Sequence, residues 1–271
     1  MQYLGGKSRI AKPISEVINA LSRRKVKNIQ ANSASDKPTD RQTDRQTDRQ
    51  TDSEHTFVSL FCGSCAIESK VQGFDRVVLN DKHKYLVALL KAVQNGWIPP
   101  DTVTEQQYRH VKDHRDESPA LTGFVGFGCS FGGKWFGGYA RNKGGTNYAL
   151  QSKKSLMKDM ASLMSAEFIC KDYHDVILPE NCVIYADPPY SNTTGYGRDK
   201  FDSDAFWEYA RQTSQSHLML ISEQSAPSDF IPIWEKPFTR TLDVNKQNQF
   251  KVTEKLFVHE RQYTQLSKSS Q

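Results

Sequence analysis

The sequence predicts an α/β fold with a mostly parallel sheet, helices on both faces and a small inserted region. The first observation behind this is a set of short apolar runs ending in polar or glycine turns: "FVSLF" before Cys62-Gly63, "RVVLND", "EFICKDY", "CVIYADPPY", "HLMLIS" and "KLFVH". Continuous apolar runs of that length suit strands buried on both faces. The second is that helical segments alternate with these runs, the pattern of a parallel sheet crossed by helices. The third is size: 271 residues, 37% of them hydrophobic, suit one large domain with an insertion.

The elements follow in order. "SRIAKPISEVINAL" places Ile10, Ile14, Val17, Ile18 and Leu21 at helical spacing on one face, with Pro13 expected near the helix start. Residues 31–55 contain the period-four repeat "TDRQTDRQTDRQTD" and almost nothing apolar. Such a segment cannot offset its ordering entropy by burial, and it is expected to be a disordered insertion. After the first two strands, "KHKYLVALLKAVQNG" predicts a helix stopped by Gly96. "TVTEQQYRHVKDH" predicts another, opened by a capping box of Thr102 with Glu105. From Gly123 to Gly145 glycines interleave with aromatics and cations, and "QSKKSLMKDMASLMS" then returns to a helix. "SDAFWEYARQTSQS" is the last predicted helix, and a polar tail follows the final strand.

Net charge is +5 and mean hydropathy is −0.66. The insertion is acidic on balance, so the basic excess belongs to the folded body. That excess suits a nucleic-acid partner or an ordinary basic enzyme equally. Five cysteines, an odd number, no secretory segment after Met1 and no apolar run of bilayer length predict an intracellular protein with reduced thiols and no membrane contact.

Chemistry is expected beyond the carboxyl ends of the strands, where open α/β sheets bind ligands. Asp81, eighteen residues after Gly63, stands near the spacing at which an acid binds ribose hydroxyls; the same position suits a turn aspartate capping the next helix. "VIYADPPY" carries more. It delivers Asp187, then Pro188 and Pro189, which fix φ and donate no N–H, then the ring of Tyr190. A carboxylate beside a proline carbonyl can accept both protons of an amino group, while the ring offers a face on which a base stacks. This suits an exocyclic amino nitrogen made nucleophilic enough to attack a methyl sulfonium.

Other chemistries are less well supported. "FCGSC" has the spacing of a redox pair, but nothing else in the chain accompanies it. The cysteines at 129, 170 and 182 and the scattered histidines offer no zinc-ligand spacing, and no metal is expected. "GGKS" lacks the first glycine of a P-loop, since Met1 stands there.

Together, "YLGGKSR", "FCGSC", "LND", "FGCSFGGKWFGGYARN", "ADPPY", "ISEQSAPSDF" and "EKLFV" resemble the DNA adenine-N6 methyltransferases of the Dam type, above all small phage-like members, over nearly the whole chain outside the repeat. The resemblance implies S-adenosylmethionine as cofactor, double-stranded DNA as partner and a monomer, with methyl transfer to N6 of adenine. It implies cofactor contacts from Tyr3, Lys7, Phe61, Gly63, Asp81 and Asp187, catalysis by Asp187, Pro188, Pro189 and Tyr190, and DNA contacts from Lys134, Arg141 and Lys143. Trp135 and Phe136 would stack on bases or belong to the core. Residues 1–30 and 56–96 become the cofactor part, 97–165 the target-recognition region, 166–260 the catalytic part and 261–271 the tail. Cytosine-N4 and RNA-adenine methyltransferases share the chemistry, and a catalytically weak DNA-binding relative shares the fold. Where the family favours glycine, Ser64 and Cys65 predict a crowded turn or an uncomfortable φ.

Overall fold

The computed structural model describes residues 1–22, 55–180, 182–189, 201–241 and 249–268. The repeat up to residue 54 and Tyr190 lie outside the described residues. The chain opens with a short turn segment and helix α1, residues 11–22, in whose first turn Pro13 sits. Strands β1 (Thr56–Ser59), β2 (Arg76–Asn80), β3 (Glu167–Ile169), β4 (Val183–Ala186) and β5 (Leu218–Glu223) are joined in parallel in the order β3-β2-β1-β4-β5. Strands β6 (Phe230–Thr241) and β7 (Gln249–His259) form an antiparallel hairpin, and β7 inserts beside β5 to complete seven strands.

Alternate residues of the central strands feed two cores. Phe57 of β1 and Val183 and Tyr185 of β4 face the layer built from α1, α2 (Lys84–Gln94), α4 (Pro119–Gly123) and α5 (Tyr148–Met160). Val58, Ile184 and Ala186 face α6 (Ser203–Thr213), through Phe206, Trp207 and Ala210. Burial on both faces explains why these strands read as unbroken apolar runs.

Three expectations need correction. The capping box of α3 (Glu105–Asp113) is Thr104 with Gln107, not Thr102 with Glu105. Strand β6 was not foreseen: "FIPIWEKPFTRT" carries Pro232, Pro237 and charges, and it forms the sheet edge, where a missing N–H costs little. The segment from 261, expected as a tail, belongs to helix α7 (Glu260–Lys268). The buried Gln262 docks this helix by accepting from Met219 N at 3.3 Å and donating to the carbonyls of Ser214 and His217.

Residues 97–165 do not stand apart. Phe124, Val125, Phe127, Leu156 and Met160 share the first core with Leu86, Leu89 and Leu90 of α2. Gly123 allows the approach, for a Cβ there would lie 2.1 Å from the carbonyl oxygen of Tyr85.

Candidate active site

Because β1 is flanked by β2 on one side and β4 on the other, the chain leaves its end toward opposite sides and opens a crevice there. The turn after β1 is held by Asn80: Cys62 N donates to Asn80 O at 2.8 Å, and the Asn80 side-chain Nδ2 donates to Leu60 O at 2.9 Å. Gly63 has φ +49, and a Cβ on it would meet the Tyr3 ring at 2.9 Å. Glycine is required here by both conformation and space. Asp81 binds this turn, accepting from Gly63 N at 3.0 Å and from His83 N at 2.8 Å. The cap of α2 is His83, whose Nδ1 accepts from Leu86 N at 3.3 Å. Asp81 therefore bridges the turns after β1 and β2. Burial raises its pKa despite the two N–H bonds.

The uncomfortable φ expected after Gly63 is present: Cys65 sits at φ +58. Its side chain is fully buried in the first core. Neither thiol of "FCGSC" has the exposure and depressed pKa of a redox cysteine. Cys62 is pushed well up by its hydrogen bond with Cys65 and then by burial. For Cys65 the same bond acts downward, but burial and nearby carboxylates carry the net shift up.

At the end of β4 the structure assembles an ionic cluster. Lys7, buried, places Nζ 3.1 Å from Asp187 Oδ1 and 2.5 Å from Glu254 Oε1. Glu254 comes from β7, which runs antiparallel and so begins at the rim where the parallel strands end. Glu223, the last residue of β5, is buried with Oε2 lacking a hydrogen-bond partner, and it lines a pocket of about 230 Å³ with Pro188, Pro189, Phe201, Trp207 and Pro227. Burial, with Asp187 nearby, lifts Glu223 to about 8. Glu68 lies on the other side, accepting from Ser59 Oγ at 2.7 Å, and burial lifts it to about 7. Glu68 and Glu254 were not foreseen at the site; Glu223 stands at a strand end expected on the rim but was given no role. Glu223 and Glu254 stand inside quoted motifs, but no local spacing marks Glu68 or Glu254.

Both raised acids have folded pKa values above the ordinary 4.5. The folded chain then holds more protons than the unfolded one across the interval from about pH 4.5 to 8, and stability falls as pH rises through that interval. Glu223→Gln is expected to match wild type near pH 5 and to exceed it by about 1–3 kcal/mol at pH 9, as read by urea melts at the two pH values.

The remaining residues divide between rim and core. Phe61 packs among aromatics, with ring centroids 5.5 Å from Tyr173, 6.0 Å from Phe201 and 5.9 Å from Phe206. Trp135 belongs to the core layer: it stacks on Tyr85 at 5.5 Å and covers Gly126, where a Cβ would lie 2.3 Å from its ring. Phe136 is buried against Tyr108. The exposed aromatic of this segment is Phe131, which the sequence did not single out; Leu4, also exposed, donates its N–H to the neighbouring Gly133 O at 3.0 Å. Lys134, Arg141 and Lys143 are exposed. Arg141 Nη1 pairs with Glu105 Oε2 at 3.1 Å, and Asn142 closes a turn onto Thr146.

One cluster of metal-ligand types occurs among the described residues, His110, His114 and Glu117, all exposed. The two rings are stacked 4.4 Å apart, His110 Nε2 lies 3.3 Å from Glu117 Oε2, and His114 Nδ1 is engaged by His110 O at 2.9 Å. We assign it no ion. No described helix is long and apolar enough to cross a membrane.

A model of the D12 class N6 adenine-specific DNA methyltransferases matches residues 45–120 and 134–262. No curated protein gives a significant match. Similar solved structures include a candidate RNA methyltransferase of Pyrococcus horikoshii, at 8% identity and TM-score 0.34, covering 77% of this chain and 76% of the other. A conserved hypothetical protein of Streptococcus pyogenes follows at 10% identity and TM-score 0.29, covering 76% and 86%. Likeness this distant carries no argument about activity. The family match spans most of the chain and both halves of the crevice: the chain belongs to the D12 class N6 adenine-specific DNA methyltransferases, enzymes that methylate adenine in DNA.

Proposed function

We propose that the crevice beyond β1 and β4 binds S-adenosylmethionine, and that Asp187 with the carbonyl of Pro188 receives the amino group of an adenine turned out of duplex DNA. The observation that carries this is the convergence of Lys7, the Gly63 turn and Asp187 on one rim. The residues fit such a cofactor in charge. One ammonium, Lys7, lies between two carboxylates, Asp187 and Glu254, leaving the cluster negative, whereas the cofactor is net positive.

When bound, the cofactor supplies an electrophilic methyl group on a sulfonium. The chain's part is positioning and charge. Asp187 and the Pro188 carbonyl accept the two amino hydrogens, drawing the nitrogen lone pair out of conjugation and toward the methyl group. Pro188 and Pro189 keep the peptide rigid. Tyr190, on sequence grounds, supplies the stacking face. Asp81, which accepts from Gly63 N and His83 N, is the acid that would receive the ribose hydroxyls. The protein acts as a monomer on double-stranded DNA, with Lys134, Arg141 and Lys143 against phosphates. The Arg141–Glu105 pair is exposed, and a surface pair of about 0–1 kcal/mol yields readily to a phosphate.

Calorimetry with S-adenosylmethionine tests the cofactor assignment: wild type binds one equivalent, and Asp81→Ala binds at least about 10-fold more weakly, the loss of one charge-assisted contact pair. Equal affinity for the two proteins removes Asp81 from the site.

A further inference from the structure

The motif "EKLFV" opens the second half of β7, and its glutamate has entered the site so far only through its charge. Glu254 is fully buried, yet it belongs to a sheet-edge hairpin remote in sequence from the amino-terminal turn. Its Oε1 accepts from Lys7 Nζ at 2.5 Å and from Ser222 Oγ at 2.9 Å. Lys7 therefore sits closer to Glu254 than to Asp187, at 3.1 Å.

We propose that Glu254 is the positioning residue for Lys7, holding its ammonium and taking up its charge so that Asp187 remains an acceptor for the target amino group instead of becoming the lysine's principal counterion. This rests on the reading of Asp187 as catalytic residue. The physical reason is competition. A carboxylate that carries a full, buried ion pair with an ammonium has its lone pairs committed to strong donors and accepts weakly from a neutral amino group. Two carboxylates share one ammonium here, and the shorter contact goes to the one outside the reaction. Ser222 fixes the orientation of that carboxylate through a second bond on the same oxygen. The antiparallel direction of β7 is what brings an acid from the end of the chain to a rim otherwise made of parallel strand ends. Glu254 thus ties the last strand to the segment that carries Tyr3 and Lys7.

The test is a double-mutant cycle on the full chain with Lys7→Met, Glu254→Gln and the double variant. Each protein is assayed for kcat and KM with plasmid DNA, and for affinity to S-adenosylhomocysteine by calorimetry. Asp187→Ala and Glu254→Asp are run alongside. Glu254→Gln is expected to lower kcat about 10–100-fold with little change in KM for DNA. Glu254→Asp, which keeps the charge, is expected to recover part of that loss. In the double variant kcat is expected to stay within about 3-fold of Lys7→Met alone, because the two residues act as one unit. Losses that multiply would overturn the inference, since a merely structural role gives additivity. So would a wild-type kcat in Glu254→Gln. If Asp187→Ala retains activity, the reading of the site itself fails. If only Glu254→Gln retains it, the site stands and this inference falls. A Glu254→Gln protein that does not fold leaves the comparison to Glu254→Asp and Ser222→Ala: each is expected to lower kcat in wild type and to leave it unchanged in the Lys7→Met background, and a loss in both backgrounds overturns the inference.

Discussion

Asp187→Ala is expected to lower methyl transfer to DNA on the order of 10²–10³-fold or more, while the protein melts within about 1 kcal/mol of wild type. The effect on rate is expected to be large because, in the proposed site, the side chain removed is one of two acceptors that polarise the reacting nitrogen, and a water in its place has no fixed orientation. The effect on stability is small for two reasons. The Asp187 carboxylate is partly exposed, and Lys7 keeps Glu254 at 2.5 Å after the change, so no buried charge is stranded. Asp187 also contributes to raising both Glu223 and Glu68. Its removal therefore relieves part of the alkaline destabilisation described above. Asp187→Asn keeps the shape, but with its amide oxygen held by Lys7 Nζ it presents an NH₂ group to a donor, and it is expected to be as inactive as alanine. Initial rates with labelled cofactor, alongside urea melts, check both parts.

Gly133→Ala is expected to weaken cofactor binding by at least about 10-fold and to cost roughly 2–4 kcal/mol of stability. Gly133 has φ +67, and a Cβ on it would stand 2.5 Å from Tyr3 N and 2.7 Å from Tyr3 Cα. Both neighbours are main chain, so no rotamer change relieves the clash. The amino-terminal segment must move, breaking the bond from Leu4 N to Gly133 O at 3.0 Å. The movement reaches the Tyr3 ring, which rests 4.9 Å from Phe127 and covers Gly63, and then Lys7. Gly132→Ala separates conformational strain from this displacement. Its φ is +61, but nothing lies within 4 Å of its added Cβ. That variant is expected to lose only about 1 kcal/mol and to bind cofactor as wild type does. Calorimetry and melts of the two alanine variants make the comparison.

Much of the architecture was legible because the physics behind it is local. Five parallel strands announce themselves as apolar runs, since both faces of each are covered. Gly96 stops α2 as expected, with φ +90 two residues past the helix. Other features depend on non-local facts. Strand β6 hides behind two prolines and several charges that an edge position tolerates. The α3 cap slipped by two residues because "TVTEQQ" offers a threonine and an acid or amide at that spacing twice. Trp135 and Phe136 sit among glycines and cations, a setting that left base stacking and core packing equally open; the glycine at 126 is what lets the tryptophan ring pack inward. In the site, Asp81 and Asp187 could be placed by their position after a strand. Glu254 could not: its partner Lys7 is 247 residues away, and only the tertiary fold brings them together.

Methyl transfer to the amino nitrogen of adenine in DNA is proposed for the site at Asp187. The most direct measurement incubates wild type and Asp187→Ala with plasmid DNA and isotopically labelled S-adenosylmethionine, digests the DNA to nucleosides and separates them by mass. Wild type is expected to place label in N6-methyl-2′-deoxyadenosine, and the variant to place none above background. Label in N4-methyl-2′-deoxycytidine, or equal labelling by the two proteins, would contradict it.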